Sequence, residues 1–599
     1  MDQQKIRNVA IIAHVDHGKT TLVDQLFRHS GMFRANQQVA ERLMDSMELE
    51  RERGITIAAK NGSYLYKDYC INIIDTPGHA DFGGQVERVL RMADGAVLLV
   101  DAQEGPMPQT FFVVKKALAA GLPILVVINK IDKPAARPDW VVDQVFDLLD
   151  RLGAPDDVLD FPIVYSSAKA GYAMKELGEP NAESAGMDAV SEMIVQHVAP
   201  PAGSSDAPLQ LQINTIDYSP YLGRLGIGKI TAGNLNLRTP LAVARRDGSL
   251  APVRINKIFT FDADQKVPVD SASCGDIVAV AGMEDVTVGV TFTDPDNPQP
   301  LPIIEIDPPT IAMHFIPNDS PFAGQDGKFV TSRHLEDRLH KETLADVALH
   351  VEPLTEGMGF QVAGRGELHL SILIEKMRRE GYEFQVTRPQ VLMREEGGTL
   401  LEPYEELSVD VDEKYQGVVI EKLGKLKGIL VDMQVDKEMS KMKFKVPTRG
   451  LLGYRSTFMT DTHGMGVMNY IFAEWGPYAG EIQNRVNGVM VVKEMATTVA
   501  YALFNLQERG KLFMGPGIDT YPGQIIGEHC RPADLVVNPA KGKKLTNVRA
   551  SGTDDAVILT PPIDMSLEEC IAYINDDELV EITPKAIRLR KKKDAKIRA

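Results

Sequence analysis

Continuous apolar runs alternate with stretches of helical periodicity over the first 200 residues. The apolar runs predict five strands, at 8–13, 71–75, 96–101, 124–129 and 161–166. The stretches between them predict helices at 20–29, 85–92, 110–119 and 140–152. Strands that are apolar on both faces and separated by helices indicate a mainly parallel sheet with helices on both sides. Ligands bind such sheets at the carboxyl ends of the strands.

The pattern changes after a linker rich in Pro, Ser and Gly at 199–208. Short alternating runs broken by Gly, Asp and Pro fill residues 209–294 and predict a small antiparallel β-barrel. A second linker, at 294–302, precedes an α+β module. This module has predicted strands at 310–317, 358–364 and 367–372 and predicted helices at 333–348 and 370–380.

A second module of similar size begins near residue 402, where strands at 404–412 and 428–435 flank a helix at 415–422. From about residue 480 the chain contains an apolar helix-like stretch at 492–507, a Gly/Pro-rich segment and a basic tail. The predicted fold class is multidomain: an α/β P-loop domain, a β-barrel, two ferredoxin-like α+β modules and a distinct C-terminal domain. The predicted boundaries are 1–200, 201–300, 301–390, 391–478 and 479–599.

Composition is that of an ordinary soluble globular protein, with 599 residues, 44% apolar and 25% charged. No apolar run approaches the roughly 20 residues of a membrane helix, and the N-terminus lacks a secretory signal. We therefore expect a cytoplasmic protein with no membrane partner. Four scattered cysteines favour neither a zinc site nor a disulfide framework. The net charge of −18 argues against indiscriminate nucleic-acid binding, although basic patches occur at 541–544 and 588–598.

A phosphate-binding loop is predicted at 13–20 (AHVDHGKT), between the first strand and the first helix. The first position is Ala rather than the usual Gly, but Gly18-Lys19-Thr20 is intact. Gly18 lets the backbone approach a phosphate, Lys19 reaches the β- and γ-phosphates, and the Thr20 hydroxyl binds Mg²⁺. The predicted nucleotide contacts of this loop are Asp16, His17, Gly18, Lys19, Thr20 and Thr21.

Two loops are predicted to sense the γ-phosphate. Asp75 ends a strand and holds Mg²⁺, as the strand-end Asp of P-loop enzymes does, and Gly78 donates its N–H to the γ-phosphate. Thr56, within RGITI at 53–57, closes its loop over Mg²⁺ and the γ-phosphate, and the loop relaxes after hydrolysis. The predicted metal ligands are therefore Thr20, Thr56 and Asp75.

The base site is predicted from NKID at 129–132 and SAK at 167–169, each following a strand. Asp132 accepts hydrogen bonds from guanine N1–H and the exocyclic amine, a donor pair that adenine lacks. Asn129 braces the loop and the stem of Lys130 covers the base. Ser167, Ala168 and Lys169 form the loop that directs a backbone N–H to guanine O6. GTP is thus the predicted substrate.

His79 is the predicted hydrolytic residue, because it follows Gly78 and an imidazole there can orient the attacking water. Val15 and Ile55 would flank its route to the phosphate as a hydrophobic gate. We expect His79 to face away until a partner repositions it, which predicts slow intrinsic turnover and activation in trans. His14 and His17 are weaker candidates for this role. Asp16 is a candidate contact for a phosphate-bound monovalent cation.

These motifs resemble those of the translational GTPases, specifically AHVDHGKTTL, RGITI and DTPGHADF. The segment GRGELHL at 364–370 is similar to one in the third domain of elongation factor G, and residues 402–404 and 446–469 look like its last domain. Only about a dozen residues separate Pro389 from Glu402, where elongation factor G carries a large domain that reaches the decoding site. Translocase activity is therefore not expected.

The remaining sequence, with NRVNGVMV, FNLQERGKLFMGPG and NVRASGTDD, closely resembles the BipA/TypA family of ribosome-binding GTPases. This resemblance implies a ribosome-dependent GTPase linked to stress adaptation and to assembly or function of the large subunit. It also implies rRNA, tRNA and ribosomal proteins near the factor-binding site as partners, with the C-terminal domain as the ribosome-specific element. We expect the protein to be monomeric.

Basic residues near the C-terminus are candidate RNA contacts. Lys541, Lys543, Lys544 and Arg549 lie in a Gly/Pro/Asn-containing stretch that either binds RNA phosphates or forms a solvated loop. The tail at 588–598 is either an RNA-contacting strand or disordered charge.

Two functional hypotheses remain open at this point. In the first, the ribosome activates GTP hydrolysis. In the second, GTP gates binding to ribosomal particles and hydrolysis serves only release. An ATP-dependent kinase or motor is disfavoured by Asp132.

Overall fold

A computed structural model describes most of the chain: residues 2–14, 16–29, 48–53, 56, 58–77, 83–180, 186–219, 221–245, 247–283, 286–304, 309–355, 357–436, 439–482, 485–542 and 558–596. The chain divides into two compact units. The first is Met1–Asp307 with Leu344–Val347, and the second is Pro308–Thr343 with Ala348–Ala599. Across these described ranges, no helix has both the length and the apolarity to span a bilayer.

The first unit begins with a short 3₁₀ turn, Gln3–Lys5, that leads into a seven-stranded sheet. Its strand order is β2-β3-β1-β4-β5-β6-β7, with β2 and β7 antiparallel at the two edges and parallel pairing between. The strands are β1 (Ile6–Ala13), β2 (Lys60–Tyr66), β3 (Tyr69–Asp75), β4 (Gly95–Asp101), β5 (Ile124–Asn129), β6 (Ile163–Ser167) and β7 (Tyr172–Met174).

Helices cover both faces of this sheet, so alternate strand residues enter two different cores. In β1, Ala10 and Ile12 join one core, and Val9 and Ile11 join the other. The parallel α/β prediction is confirmed, and each predicted strand or helix begins and ends within two residues of the observed one. The helices are α1 (Lys19–His29), α2 (Glu48–Arg53), α3 (Gly83–Leu90), α4 (Pro108–Ala119), α5 (Pro138–Arg151), α6 (Asp156–Leu159) and α7 (Asp188–His197).

An eight-stranded antiparallel sheet follows in the same unit, in the order β12-β11-β17-β8-β9-β16-β13-β14, while β10 pairs with β15. Its core is built from the apolar residues that alternate along the strands, such as Leu211, Ile213 and Phe292. The strands are β8 (Gln210–Ser219), β9 (Gly223–Ala232), β10 (Asn234–Asn236), β11 (Leu241–Ala244), β12 (Leu250–Val253), β13 (Lys257–Asp262), β14 (Gln265–Val269), β15 (Ser271–Ser273), β16 (Ile277–Ala281) and β17 (Thr291–Thr293).

Polar contacts join the β-domain to the α/β sheet. The Lys229 ammonium lies 2.5 Å from Asp94 Oδ1, and Asn8 Nδ2 donates to the carbonyl of Gly275 at 3.0 Å. At the turn between β13 and β14, Ala263 exchanges two backbone hydrogen bonds with Ser63 of β2, at 3.1 and 2.8 Å. The Ser63–Ala263 pair joins the β-domain to β2, the strand that follows the predicted Thr56 loop.

The second unit opens with an α+β module, and the 301–390 region contributes β18 (Ile311–Pro317), α8 (Ser332–Ala345), β19 (His350–Pro353), β20 (Phe360–Gly364), α9 (Glu367–Arg379), β21 (Phe384–Val386) and β22 (Gln390–Val391). The strand prediction at 367–372 is wrong, because these residues begin α9. Gly366 is extended at the N-cap, and Leu370, Ile374 and Met377 bury one helical face. The short alternation of apolar and polar residues at 367–372 resembles the pattern of a strand.

A five-stranded antiparallel sheet with three helices forms the next module. Its core includes Leu407, Val409, Phe444 and Phe458. The elements are β23 (Arg394–Glu396), β24 (Thr399–Asp412), α10 (Glu413–Lys425), β25 (Ile429–Asp436), β26 (Met439–Pro447), α11 (Thr448–Leu451), α12 (Tyr454–Asp461) and β27 (Val467–Pro477).

The C-terminal section adds strands to the sheet of the first α+β module. Strand β21 pairs with β34, so one 11-stranded sheet contains both. The elements are β28 (Val489–Val492), β29 (Ala496–Thr497), α13 (Ala500–Gln507), β30 (Gly510–Leu512), β31 (Asp519–Thr520), β32 (Gln524–His529), β33 (Leu535–Val537), α14 (Leu567–Tyr573), β34 (Glu578–Ile582) and β35 (Ile587–Lys591).

One expectation about this section needs correction, and one alternative that the sequence left open is decided in part. The helix expected at 492–507 covers only Ala500–Gln507, because Thr498 bonds the Ile518 carbonyl and Val499 is still extended before the helix begins. The basic tail is not disordered charge over Ile587–Lys591, which pairs with β34. The multidomain α/β, β-barrel and α+β fold class is confirmed, whereas the five domain boundaries remain a prediction.

Candidate nucleotide-binding site

The loop between β1 and α1 is tightly wound around Gly18. Gly18 has φ +93°, and a Cβ there would lie 2.5 Å from Asn129 Nδ2. Asp16 is also left-handed, with φ 64°, and the amide of His17 donates to the His14 carbonyl at 3.3 Å. The residue at position 18 therefore has to be glycine both for its backbone angle and for the close approach of the Asn129 side chain.

Lys19 and Asp75 face each other where β1 and β3 end. Both side chains are buried, and Lys19 Nζ lies 2.8 Å from Asp75 Oδ1 and also donates to the Thr76 carbonyl. The Asp75 position follows from the parallel register, which sets Asp75 opposite Ile11. Neither carboxylate oxygen of Asp75 accepts a hydrogen bond of good geometry within the described residues. A buried carboxylate with spare acceptor capacity is suited to a cation.

The residues present fit Mg²⁺. Thr20 stands in the first turn of α1, and Thr56 is buried at 7% exposure. The described residues contain no cluster of three or more His, Cys, Asp or Glu side chains that could form a metal cage. Mg²⁺ commonly takes one or two carboxylates together with waters and substrate phosphates, so one carboxylate with hydroxyl groups is a sufficient protein contribution.

Asn129 connects three loops through its side chain. Its Nδ2 donates to the carbonyl of His17 at 2.9 Å, and its Oδ1 accepts from the amide of Ala168 at 2.9 Å and the hydroxyl of Ser166 at 3.2 Å. Asn129 is buried, at 1% exposure. The phosphate loop, the 129–132 loop and the 167–169 loop are therefore held in one arrangement by a single amide.

The 129–132 and 167–169 loops form a rim at the ends of β5 and β6. Ile131 donates its amide to the Ser166 carbonyl at 3.3 Å. The side chains of Asp132 and Lys169 are exposed at this rim, while Ser167 and Ala168 are buried. The Asp132 carboxylate is therefore exposed on a rim whose backbone is fixed by hydrogen bonds between the two loops.

Lys130 spans from the rim to the phosphate loop. Its φ is 63°, and its ammonium donates to the Asp16 carbonyl at 2.5 Å and lies 2.7 Å from Asp101 Oδ2. Lys133 reaches the same carboxylate oxygen at 3.1 Å. Burial opposes ionisation of Asp101, but hydrogen bonds from Lys130, from the Gln103 amide and from Lys133 outweigh it and lower its pKa to about 2.

His17 is fully buried beneath the phosphate loop. Its Nδ1 lies 3.3 Å from the Asp101 amide and 3.4 Å from the Leu99 carbonyl, and its Nε2 lies 3.6 Å from Glu104. The hydrogen bond from His17 lowers the pKa of the Glu104 carboxyl. The His14 ring meets the His17 ring edge-on, with centroids 5.2 Å apart. Apart from the His14 ring, the His17 side chain thus contacts strand β4 and its following loop.

Several predicted residues lie outside the described part of the chain: Val15, Ile55, Gly78, His79, Lys543, Lys544 and Arg549. Of the candidate RNA contacts, Lys541 is described and exposed. Sequence reasoning missed Asp101, although a usable signal existed. Asp101 is the polar residue that ends an apolar strand run, as Asp75 and Asn129 do.

Four basic side chains of β35 and the residues after it, Arg588, Arg590, Lys591 and Lys593, are paired with acidic side chains of the same unit. Lys591 is 4% exposed and lies within 3.0 Å of carboxylates of Asp534, Asp577 and Glu578. Arg588 pairs with Asp326 and Glu581, whereas Arg590 and Lys593 both pair with Asp319. These cations stabilise the C-terminal fold.

Four family descriptions match successive parts of the chain. They are the elongation factor Tu GTP binding domain at 4–200, elongation factor Tu domain 2 at 223–293, the elongation factor G C-terminus at 399–486 and the TypA/BipA C-terminal domain at 487–596. A curated relative, the large ribosomal subunit assembly factor BipA of Synechocystis sp., is 53% identical over 98% of both chains. The chain belongs to the BipA/TypA family.

Other BipA relatives match this chain over a similar share of its length. The protein of Haemophilus influenzae is 52% identical over 99% of this chain and 96% of its own, and that of Salmonella typhimurium is 51% identical over 98% and 97%. A solved structure from Thermus thermophilus matches 80% of this chain and 98% of its own, with a TM-score of 0.56 at 16% identity, which shows a common fold. As a BipA/TypA member with this GTP-binding domain, the chain is a translational GTPase that hydrolyses GTP.

Proposed function

We propose that this GTPase binds the ribosome in its GTP form and hydrolyses GTP on ribosomal activation, in the service of large-subunit assembly. Its strongest support is the convergence of Gly18, Lys19, Asp75 and Asn129 at one edge of the sheet, in a chain that matches assembly factors over nearly its whole length. We also propose that the protein acts in the cytoplasm as a monomer and takes part in stress-adaptive translation.

The phosphates are bound by the loop at the start of α1. Its amides and the helix N-terminus favour anions, and Asp16, His17, Gly18 and Thr21 supply contacts there. The Lys19 ammonium, already positioned beside Asp75, neutralises the β- and γ-phosphates. Gly78 donates to the γ-phosphate, and the backbone at Asp16 offers a contact to a monovalent cation.

Thr20, Thr56 and Asp75 would hold Mg²⁺, which supplies charge neutralisation at the β- and γ-phosphate oxygens when bound. The spare acceptor capacity of the buried Asp75 carboxylate supports this assignment. Thr56 belongs to the loop that precedes β2, so its closure over the γ-phosphate would report the nucleotide state to the contacts between β2 and the β-domain.

Guanine is selected at the rim of the 129–132 and 167–169 loops. The exposed Asp132 carboxylate accepts from N1–H and the exocyclic amine, and the Ser167–Ala168–Lys169 loop directs an amide to O6. Asn129 bonds both the phosphate loop and the 167–169 loop, so the distance between the base and phosphate subsites is fixed. Adenine would leave the Asp132 carboxylate without its donors, which disfavours ATP.

His79 orients the attacking water once the ribosome repositions it past Val15 and Ile55. In the C-terminal domain, Lys541, Lys543, Lys544 and Arg549 contact rRNA or tRNA phosphates, and ribosomal proteins near the factor-binding site complete the docking surface. The pairing of Arg588, Arg590 and Lys591 with acidic side chains of the fold favours the stretch at 541–549 over β35 as the RNA-contacting segment.

Phosphate release with and without purified ribosomes tests this proposal. Ribosomes should raise native turnover by roughly two or more orders of magnitude, the range of a positioned proton or water-orienting group combined with trans activation. His79→Ala should abolish this stimulation while the GTP dissociation constant stays within about twofold. Glu87→Gln, which removes an exposed ion pair with Lys116, is the matched control and should behave as native.

An alternative is a GTP-gated assembly factor in which hydrolysis serves only release. The name of these relatives, large ribosomal subunit assembly factor, favours this alternative. Co-sedimentation with mature subunits and with precursor particles, in GTP and in a non-hydrolysable analogue, separates the two. Binding to precursors without any stimulation of phosphate release by mature ribosomes would support the alternative and refute the first proposal.

A further inference from the structure

Asp101 lies where three elements of the nucleotide site meet. It ends β4, and its carboxylate is fully buried, at 0% exposure. Lys130 and Lys133 direct their ammonium groups to the same oxygen, at 2.7 and 3.1 Å, and the Gln103 amide donates to the other oxygen at 2.7 Å. Both oxygens are therefore satisfied, which is what allows a buried carboxylate to remain ionised.

The backbone around Asp101 is tied to the same neighbours. The Asp101 amide lies 3.3 Å from His17 Nδ1, and the next amide, of Ala102, donates to the Asn129 carbonyl at 2.8 Å. The side chain and main chain of this one position thus contact the phosphate loop and the 129–132 loop together.

Lys130 connects the 129–132 loop to the phosphate loop, and the Asp101 carboxylate holds its side chain in place. Its ammonium also donates to the Asp16 carbonyl in the phosphate loop. The far end of the Lys130 side chain is therefore held by two partners. A long lysine side chain otherwise keeps several rotamers and loses rotamer entropy when it is fixed. Asp101 removes that cost before the nucleotide arrives, since the side chain is already held.

We propose that Asp101 is a positioning residue for guanine-nucleotide binding, acting through Lys130 to hold the base loop against the phosphate loop. This inference rests on the proposed base-binding role of the 129–132 loop. Because GTP and GDP share the guanine that the 129–132 loop is proposed to bind, Asp101 affects GTP and GDP equally and leaves the chemical step unchanged.

The test measures dissociation constants of GTP, GDP and inosine triphosphate for full-length Asp101→Asn, Lys130→Met and the double variant. Each single variant should bind GTP and GDP about 10- to 100-fold more weakly, the range for losing a buried charged partner at a binding site. Because the two residues act as one unit, the double variant should be little worse than either single variant. Lys133→Met should lose less, since no contact of Lys133 with the phosphate loop is found among the described residues.

Base selectivity and the turnover rate distinguish a positioning role of Asp101 from a general disruption of the site. Asp101→Asn should keep the native ratio of GTP affinity to inosine triphosphate affinity. It should also keep the native kcat at saturating GTP, so that only KM for GTP rises. Glu87→Gln should match native in every measurement.

Additive losses in the double variant, a fall in kcat, or a loss for GTP but not GDP would overturn the inference. Thermal unfolding of each variant identifies one that fails to fold, and Lys130→Met, which leaves Asp101 paired with Lys133, then serves as the test. Asp132→Asn is the separate probe of the base site. If Asp132→Asn keeps the preference for guanine, the proposed base site is wrong. If Asp132→Asn loses that preference and Asp101→Asn binds nucleotides normally, the base site stands and only the present inference is wrong.

Discussion

Replacing Gly18 with alanine should weaken guanine-nucleotide binding strongly, because two costs coincide at this position. The backbone is left-handed, at φ +93°, which costs an L-residue roughly 1–2 kcal/mol. The new Cβ would also lie 2.5 Å from Asn129 Nδ2, so the bond from Asn129 to the His17 carbonyl must break or lengthen, at about 1 kcal/mol. The sum of about 2–3 kcal/mol corresponds to roughly 30- to 150-fold in the dissociation constant if the native loop is the binding-competent one.

Gly121→Ala is a matched control for this prediction. Its φ is also positive, at +70°, but no heavy atom lies within 4 Å of an added Cβ. It should reproduce the backbone cost as a loss of folding stability without a change in nucleotide affinity. Fluorescence titration with a labelled GDP measures binding, and urea unfolding measures stability. If Gly18→Ala binds GDP within about twofold of native, the coupling of the phosphate loop to Asn129 is wrong.

Three further changes have defined outcomes. Asp132→Asn should reverse base preference from guanosine to xanthosine triphosphate, since an amide donor matches the xanthine carbonyl; competition binding that still favours GTP would contradict this. Lys229→Met should destabilise the first unit by roughly 1–3 kcal/mol by leaving Asp94 without its ammonium partner, whereas Lys266→Met, in an exposed pair with Asp217, should cost less than about 1 kcal/mol in urea unfolding. The pKa of Asp101 is about 2 when folded and about 3.9 when unfolded, so its stabilising contribution is present above about pH 4 and lost as pH falls through the folded value. The stability gap between native and Asp101→Asn should therefore narrow between pH 5 and pH 2, and a gap independent of pH would contradict the assignment.

The α/β domain was predictable because each of its signals is local. Apolar runs mark buried strands, and the parallel arrangement brings their carboxyl ends to one edge, so Asp75 and Asn129 could be placed near the phosphate loop without coordinates. The identity of the bonding partners was not predictable in the same way. That Asn129 would bond His17, Ser166 and Ala168 depends on loop conformations that periodicity does not encode.

Pairing between distant segments accounts for most of what the sequence did not reveal. Strand β21 pairs with β34, about 200 residues later, and the register sets Phe384 opposite Ile582. No turn signal or alternation distinguishes that pairing from a separate C-terminal domain. The edge strand β2 was missed for a related reason. Only its middle residues are buried, and Ser63 finds its partner at Ala263 in another domain.

The basic tail shows why the charge of a short segment is a poor guide to its partners. Residues 588–593 carry five cations and no acid in sequence, a composition typical of a nucleic-acid-binding arm. In the fold, Asp319 and Asp534 from distant parts of the sequence, and Glu578 and Glu581 from the neighbouring strand β34, pair with four of the five cations. Breaking a buried pair leaves an uncompensated charge and costs roughly 3–5 kcal/mol. Neutralising Lys591, at 4% exposure, therefore threatens the fold before any RNA contact is tested, and a loss of ribosome binding in such a variant is evidence of binding only if unfolding is excluded.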